Sequence, residues 1–373
     1  MNAKRKRGKP AKRAAPAPPP GHPYVRNLLG WYAAVKRPFP WRGTADPYRI
    51  WISEIMLQQT QAERGVRHFT AWLRRFPDIR AVAEAAEADV LAAWEGLGYY
   101  SRARNIRLAA KRVMEEHGGE FPRAHEKILS LPGVGDYTAG SIASIAFGAP
   151  EPAVDANVLR VFARVLDICA PIAAAGAKRM VTEAVRALLP ADAPGEFNQA
   201  LMELGALVCG RSPKCGECPV RGDCAAFRNG TAADRPVKGA KSARTLRETV
   251  AGIVLDADGK ACVRRRPPGG LWAGMWELPG GEIENGESPG EAVARHIAGA
   301  LGTPAAVRGE IAVVRHGYTT NRAVLHGYLC ELAEPAQTRR DDGAAWKWVA
   351  PGELASRPFP AGHRKLLERL GWK

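Results

Sequence analysis

The sequence predicts an all-α domain followed by a smaller α+β domain. The chain has 373 residues, more than the roughly 150 residues of one typical domain. From Pro23 to about Phe227, apolar residues recur at helical spacing without a convincing run of alternating residues. After Thr249, short apolar runs separated by turn residues indicate strands.

These patterns divide the chain into four regions: a basic, Pro/Ala-rich tail at 1–22 that we expect to be disordered, a helical domain at 23–228, a linker at 229–246 and an α+β domain at 247–373. The helical spacing is clearest in five segments: Ile50–Leu57, Val82–Trp94, Ile106–Met114, Val158–Ile168 and Ala177–Leu189.

The second domain is predicted to begin with a β-hairpin. Residues 250–255 and 261–263 flank the Asp258-Gly259 pair, which is typical of a tight turn between strands. Further strands are predicted at 311–315, 323–331 and 345–349, with helices near 288–301 and 362–370.

The chain is strongly basic, with a formal charge of +16, and seven of its basic residues lie within the first 13 positions. Such an excess favours a nucleic-acid partner, because Lys and Arg displace counterions from phosphates. A solubility or membrane-surface role is the alternative. No apolar run approaches the roughly 18 residues of a spanning helix, and the N-terminal segment lacks the apolar core of a secretory signal.

Four of the seven cysteines lie close together in sequence, at Cys209, Cys215, Cys218 and Cys224. Four neighbouring thiolates repel one another unless a metal compensates their charge. Zinc sites usually pair two short Cys-x-x-Cys hooks, and this cluster has one, which favours a [4Fe–4S] cluster over zinc. Unligated structural cysteines are the plainest alternative.

Residues 131–135, Leu-Pro-Gly-Val-Gly, separate two helical segments. Gly133 and Gly135 could turn backbone N–H groups toward a DNA phosphate at a helix N-terminus, although an ordinary interhelical turn has the same composition. Asp155 opens the next helix and is most simply its N-cap. A capping carboxylate beside bound DNA could also stabilise a cationic sugar.

Glu54 is one acid among large apolar residues in Trp51–Leu57. Burial raises the pKa of a carboxyl group and lets it act as a general acid near neutral pH. A surface acid on an amphipathic helix is the alternative. Gln58 follows at i, i+4 on the predicted helix, so polar groups cluster at one end of it.

Taken together and in this order, several stretches resemble the MutY-type adenine DNA glycosylases of the helix-hairpin-helix superfamily, from about Pro23 to the C-terminus. The matching stretches are WISEIMLQQTQ around Glu54, GLGYYSRARN at 96–105, LPGVGDYTAG at 131–140, VDANV at 154–158, FNQALMELGALVC at 197–209 and the four cysteines. The resemblance implies an all-α helix-hairpin-helix glycosylase with an iron–sulfur loop, followed by an α+β Nudix-like domain.

The resemblance also implies the reaction, which is removal of adenine mispaired with 8-oxoguanine or guanine in base excision repair. Glu54 would protonate the flipped adenine, Asp155 would stabilise an oxocarbenium-like sugar, and Asn157 would orient this pair. Tyr137 stands where bifunctional relatives carry a nucleophilic lysine, so we expect no efficient strand cleavage.

The remaining contacts implied by the resemblance are with adenine and DNA. Gln59 and Tyr99 match residues that wedge into the duplex and offset the cost of flipping a base. The whole set expected to bind adenine or DNA is Trp41, Arg42, Gln58, Gln59, Tyr99, Gly133, Gly135 and Gln199. The [4Fe–4S] ligands would be the four cysteines, although the family usually has six residues between the first two and this chain has five.

The C-terminal domain resembles the start of the Nudix signature in Gly281-x5-Glu287-x7-Arg295, but the next expected glutamates fall on His296, Gly299 and Ala300. We therefore expect this domain to bind rather than to hydrolyse. The family's lesion-reading loop aligns with Tyr318, Thr319 and Thr320. Thr319 keeps the hydroxyl of the family's residue, but Thr320 lacks the imidazole that the family has at the next position. The alternative is that this loop is a plain hairpin between two strands.

The expected partner is double-stranded DNA with adenine opposite 8-oxoguanine, bound by a monomer without membrane contact in the cytoplasm of a bacterium, at the nucleoid. Three other functions are compatible with parts of the sequence. An endonuclease III-like lyase is disfavoured by Tyr137, and a nucleotide-pool hydrolase by the absent glutamates. A non-enzymatic iron–sulfur DNA-binding module would make Glu54 and Asp155 incidental.

Overall fold

The computed structural model describes residues 23–58, 60–239, 246–267, 270, 272–318, 321–334, 340–341 and 344–372. Its helices are α1 Pro23–Val35, α2 Pro47–Leu57, α3 Ala62–Arg75, α4 Ile79–Glu84, α5 Glu87–Ala93, α6 Ser101–His117, α7 His125–Leu129, α8 Asp136–Phe147, α9 Ala156–Val165, α10 Ala175–Leu188, α11 Pro194–Leu207, α12 Ala225–Arg228, α13 Pro289–Leu301, α14 Pro351–Leu354 and α15 Ala361–Arg369. Short 3₁₀ turns lie at Cys215–Glu217, Arg221–Asp223 and Ala232–Asp234.

The strands all lie in the C-terminal part of the described chain. They are β1 Leu246–Val254, β2 Ala261–Arg265, β3 Trp276–Glu277, β4 Gly280–Glu282, β5 Ala305–Tyr318, β6 Asn321–Leu332, β7 Arg340–Asp341, β8 Ala344–Ala345 and β9 Lys347–Val349. The order of helices and then mixed strands and helices confirms the predicted fold class. Within the described residues, no helix combines the length and apolarity needed to span a membrane.

The chain divides into two compact units. The first contains the described residues of Met1–Ala83 and Leu108–Lys241, and the second those of Glu84–Arg107 and Ser242–Lys373. This division groups residues 84–107 with the C-terminal domain, whereas the sequence pattern places them within a helical domain at 23–228.

The first unit is a set of helices around buried apolar side chains. One core is built by α1, α9, α10 and α11, and its fully buried members include Tyr24, Phe162, Phe197 and Leu201. Helix α2 packs between α8 and α3. Because almost every residue of α2 from Tyr48 to Met56 is buried, this helix is held in place by neighbours on several sides.

The segment that follows the cysteines contacts the same unit. Arg164 donates hydrogen bonds to the carbonyl oxygens of Ala232 and Arg235 at 2.8 and 3.0 Å, and the Ile172 N–H donates to Val237 O at 3.0 Å. Residues 229–239 of the predicted linker are therefore hydrogen-bonded to α9 and the residues after it.

The second unit contains two main sheets. The larger has the strand order β4-β1-β6-β5, with β1 and β6 parallel, and the smaller has the order β3-β2-β9. Helix α13 covers one apolar face through Val293 and Ile297. On another face, Leu366 and Leu367 of α15 pack against Ile253 and its neighbours.

The predicted β-hairpin at 250–255 and 261–263 is wrong as a ladder, although its turn is correct. The Gly259 N–H donates to Asp256 O at 3.0 Å, and Gly259 has φ +75°. Beyond a single bridge between Leu255 and Ala261, β1 pairs with β4 and β6 while β2 pairs with β3 and β9. The strands diverge because β1 pairs along its whole length with β6, whereas β2 pairs with β3 and β9 in the smaller sheet.

Candidate active site

The helical unit contains a cleft of about 1190 Å³. Glu54, Tyr137, Asp155 and Asn157, the four residues predicted to be catalytic, all contribute to its lining. They come from α2, α8 and α9, so the fold brings together three segments that are far apart in sequence.

Glu54 is held by a well-capped, buried helix. The Asp46 side chain accepts hydrogen bonds from the N–H groups of Tyr48 and Arg49, and Pro47 occupies the first turn of α2. Glu54 is only 7% exposed, so the alternative of a surface acid is wrong. Burial raises the pKa of Glu54, and the hydroxyl groups of Tyr137 and Ser141 and the charge of Arg42 act in the opposite direction.

Tyr137 is placed by the predicted helix-hairpin-helix, formed by α7 and α8. Gly133 has φ +77° and Gly135 is the N-cap of α8, and both are exposed, which leaves the hairpin accessible to a ligand. Tyr137, in the first turn of α8, donates a hydrogen bond to Glu54 Oε2. Burial beside Glu54 raises the pKa of Tyr137, so the hydroxyl keeps its proton and acts as a donor.

Asp155 is the N-cap of α9, as predicted. Its Oδ1 accepts from the Val158 N–H at 2.8 Å, and its Oδ2 accepts from Asn157 Nδ2 at 2.7 Å. Burial raises the pKa of Asp155, while these hydrogen bonds and the charge of Arg160 act against that effect. Asp155 in turn raises the pKa of Glu54, so a charged Asp155 hinders the ionisation of Glu54.

Asn157 is fixed from two sides. A Cβ added at Gly205 of α11 would lie 2.6 Å from Asn157 Cβ, so α11 can approach α9 this closely only with glycine. Arg160 donates to Asn157 Oδ1 at 2.8 Å, to Gly205 O at 2.7 Å and to Cys209 O at 2.8 Å. The start of α9 is thereby hydrogen-bonded to the loop that carries the cysteines.

Glu203 is a site residue that the sequence analysis missed. It is 1% exposed and accepts from Arg37 Nε at 2.7 Å and from Arg42 Nη2 at 3.2 Å. Arg42 also donates to Gln199 Oε1, which links two predicted adenine contacts. The argument used for Glu54 applies equally to this acid among the apolar residues of α11.

Other predicted contacts fall in different places. Trp41 lines the cleft and is 7% exposed, with its ring stacked on Phe39 at 5.0 Å. Gln58 also lines the cleft, but it lies one residue beyond α2 in extended conformation, so the predicted helical i, i+4 relation to Glu54 is wrong. Its amide donates to Thr138 Oγ1 at 3.5 Å instead. Gln59 lies outside the described residues.

Tyr99 belongs to the second unit. It has φ +48°, a left-handed conformation that is uncommon for a residue other than glycine. Its side chain is 38% exposed, and the Arg102 guanidinium lies 5.6 Å from its ring centre. A large aromatic side chain is therefore presented to solvent on a constrained turn.

The four clustered cysteines lie after α11, form no disulfide bond in the structure and are partly exposed. Burial, together with the other three cysteines, raises the pKa of Cys218 to about 11, and Arg164 Nη1 donates to Cys209 Sγ at 3.2 Å. Among the described side chains no His, Cys, Asp or Glu group stands in a closed metal-binding arrangement. Four soft sulfur donors that influence one another fit an iron–sulfur cluster, which would supply the missing positive charge.

The Nudix-signature glutamate is engaged within the protein. Glu287 accepts two hydrogen bonds from Arg295, both at 2.7 Å, and this pairing lowers the pKa of Glu287 to about 2. His296 Nε2 lies 2.9 Å from Glu282 O. Tyr318 is the last residue of β5, opposite Asn321 of β6, whereas Thr319 and Thr320 lie outside the described residues.

Comparison with known proteins matches three family models to this chain. Residues 52–185 match the HhH-GPD superfamily base excision DNA repair proteins, residues 210–224 the iron–sulfur binding domain of endonuclease III, and residues 250–369 the NUDIX domain. The structure of a thermostable thymine-DNA glycosylase is similar with a TM-score of 0.50 and 28% identity, covering 55% of this chain and 95% of that one. Fold and site thus define a helix-hairpin-helix protein with an iron–sulfur site and a C-terminal NUDIX domain.

Two relatives indicate which family within this class the chain resembles. The adenine DNA glycosylase of Mycolicibacterium smegmatis is 40% identical over 237 residues, which are 62% of this chain and 80% of the relative. That of Mus musculus is 43% identical over 212 residues, 54% of this chain. The chain belongs to the adenine DNA glycosylase family. The match spans 41% of the length of the mouse protein.

Proposed function

We propose that this protein is a monofunctional DNA glycosylase, which hydrolyses the N-glycosidic bond of adenine mispaired with 8-oxoguanine or guanine in double-stranded DNA. The single observation that carries the proposal is the hydrogen-bonded Glu54–Tyr137 pair in one cleft with Asp155 and Asn157. Two carboxyl groups in a cleft suit a reaction that protonates a leaving base and stabilises a cationic sugar.

Glu54 is the proton donor in this proposal. Burial keeps its carboxyl group protonated to higher pH than an exposed glutamate, and a general acid is most effective when its pKa is near the working pH. The proton passes to a ring nitrogen of the flipped adenine, and the carboxylate that remains then accepts a proton from the attacking water.

Asp155 is the group that faces the developing positive charge on the sugar. Its two oxygens already accept hydrogen bonds from Val158 N–H and Asn157 Nδ2, and such donors favour the charged form. Asn157 orients the carboxylate, while Trp41 and Arg42 line the pocket that receives the base and Gln199 accepts a hydrogen bond from Arg42.

The iron–sulfur site is proposed to hold a [4Fe–4S] cluster on Cys209, Cys215, Cys218 and Cys224. An anaerobically purified protein should contain about four irons per chain, as expected for this cluster type. A protein that carries one zinc and no iron under those conditions would contradict the assignment.

The NUDIX domain is proposed to read the base opposite adenine, with Tyr318 and Thr319 at the contact, rather than to hydrolyse nucleotides. The pairing of Glu287 with Arg295 supports this role, because that carboxylate is already engaged. A pyrophosphatase assay with nucleoside triphosphates and Mg²⁺ should show no hydrolysis above background.

Strand cleavage separates the proposed enzyme from a lyase. Tyr137 provides no amine for a covalent adduct with the sugar. Borohydride should therefore trap no protein–DNA adduct during excision. Trapping as efficient as that of a DNA glycosylase with lyase activity would contradict the monofunctional mechanism.

A further inference from the structure

We propose that Arg364 is a positioning residue for the exposed turn that carries Tyr99, acting through Glu95. The inference rests on the proposed function and on the expectation from the sequence that Tyr99 wedges into the duplex beside the flipped base. It assigns the C-terminal domain a second task besides reading the opposite base, namely holding the turn that assists flipping.

The contact joins two segments of the second unit. Arg364 of α15 donates from Nε to Glu95 Oε1 at 2.6 Å and from Nη2 to Glu95 Oε2 at 3.4 Å. The side chains are 13% and 28% exposed, so this two-point ion pair is largely shielded from solvent. Such geometry restrains orientation as well as distance.

Arg364 is itself held firmly by the C-terminal domain. Its Nη1 donates to Leu354 O at 3.1 Å, its Nη2 donates to Arg357 O at 2.5 Å, and the guanidinium lies 5.3 Å from the ring centre of Phe359. The guanidinium therefore presents Glu95 with a fixed anchor rather than a flexible surface cation.

Glu95 transmits this restraint to Tyr99 through a short, closed turn. Trp94 is fully buried, and its Nε1 donates to Gly98 O at 3.0 Å. Arg102 Nη2 donates to Leu97 O at 2.9 Å and to Gly98 O at 3.0 Å. The turn on which Tyr99 adopts its positive φ is thus bracketed by Glu95 at one end and Arg102 at the other.

The test compares Glu95→Gln with Glu331→Gln in the full-length protein. Glu331 is the matched control because it also pairs with an arginine, Arg308 at 2.6 Å, but on the β5–β6 surface. Glu95→Gln removes the charge and leaves the carbonyl contacts of Arg364 intact. Hydrogen exchange without DNA should show faster exchange at residues 94–102, by about tenfold for the loss of a charge-assisted hydrogen bond, and no change in Glu331→Gln.

Base flipping and chemistry are then measured separately. With 2-aminopurine opposite 8-oxoguanine, Glu95→Gln should give a smaller fluorescence increase, and single-turnover excision of adenine should slow by about tenfold. The pH profile of excision should keep its shape because Glu54 is untouched. A duplex with a mismatch beside the target, already partly unstacked, should recover most of the rate, since less flipping energy is needed.

Arg364→Lys, which keeps a positive charge, should lose less activity than Arg364→Gln. The inference is overturned if Glu95→Gln exchanges, flips and excises like Glu331→Gln. It is also overturned if the slowed excision comes with a displaced pH profile and no rescue by the mismatch. Failure of the wild-type protein to excise adenine would instead contradict the proposed function, while hydrogen exchange would still report on the turn.

Discussion

The raised pKa of Glu54 predicts an effect on the stability of the protein as well as on catalysis. Burial raises its folded-state pKa above the unfolded value of 4.5, so the folded protein binds this proton more tightly than the unfolded chain does. The stability due to this group is fully present below pH 4.5 and is lost as pH rises through the raised pKa. Glu54→Gln, which cannot ionise, escapes that loss.

The Tm of Glu54→Gln relative to that of the wild type should therefore rise as pH increases from 4.5 and level off above the raised pKa of Glu54. Thermal unfolding followed by circular dichroism at several pH values measures the difference. A difference that stays constant with pH would show that Glu54 is ionised alike in both states.

Tyr137→Phe tests the hydroxyl that donates to Glu54. This hydrogen bond lowers the pKa of Glu54, so its removal should move the alkaline limb of the pH–rate profile to higher pH. Single-turnover excision should also slow by about tenfold, as expected for a lost hydrogen bond to a charged group. An unchanged profile would remove Tyr137 from the proton-transfer step.

Individual site residues could be predicted from sequence where the local pattern was unusual. An acid within the apolar Trp51–Leu57 and an Asp at a helix start marked Glu54 and Asp155 as candidates, and the resemblance to the MutY-type glycosylases implied their roles. Glu203 also lies among apolar residues, but its pairing with Arg37 and Arg42, which lie more than 150 residues earlier in the chain, could not be predicted. Pairing between distant segments leaves no local signal.

At the scale of elements, the packing of α11 on α9 sets the position of Asn157. An alanine at Gly205 would place its Cβ 2.6 Å from Asn157 Cβ, so the helices must separate or the backbone of α9 must move. Gly205→Ala should lower stability by about 1–3 kcal/mol, as overpacking does, and should reduce excision. Gly210→Ala is a suitable control because an added Cβ there meets nothing within 4 Å.

Chemical unfolding and excision rates measure both effects. Wild-type activity in Gly205→Ala would show that the position of Asn157 tolerates this displacement.

Element types were predictable and several element boundaries were not. Helical spacing over Val82–Trp94 predicts one helix, but α4 ends at Glu84 and α5 begins at Glu87. The helical spacing of apolar residues continues across the break because each of the two helices buries an apolar face. Likewise, the Asp-Gly pair predicted the turn at Gly259, whereas β6 and β9, one partner each of β1 and β2, lie more than 60 residues further along the chain.

At the scale of the whole molecule, the charge divides between the tail and the rest of the chain. Residues 1–22 carry seven basic residues and no acid. Deleting them should weaken duplex binding and flatten its salt dependence, by about 0.9 in the log–log slope for each lost phosphate contact. The single-turnover rate at saturating protein should stay within about twofold, because the site residues are all elsewhere. A large loss of rate would assign the tail a role in chemistry.

The grouping of residues 84–107 with the C-terminal domain was not visible in the sequence. Their helical period suits the N-terminal helices, but Glu87 and Glu95 are paired with Arg265 and Arg364. Sequence composition predicts a domain boundary where the pattern of residue types changes. It does not show that the charged side chains of one segment pair with those of a segment far away in the chain.

Excision of adenine from a duplex with adenine opposite 8-oxoguanine, under single-turnover conditions, is the most direct test of the central claim. The wild-type protein should release adenine, and Glu54→Gln should be slower by about 10²–10⁴-fold, the range expected for loss of a general acid. Excision by Glu54→Gln at the wild-type rate would contradict the role of Glu54 as proton donor.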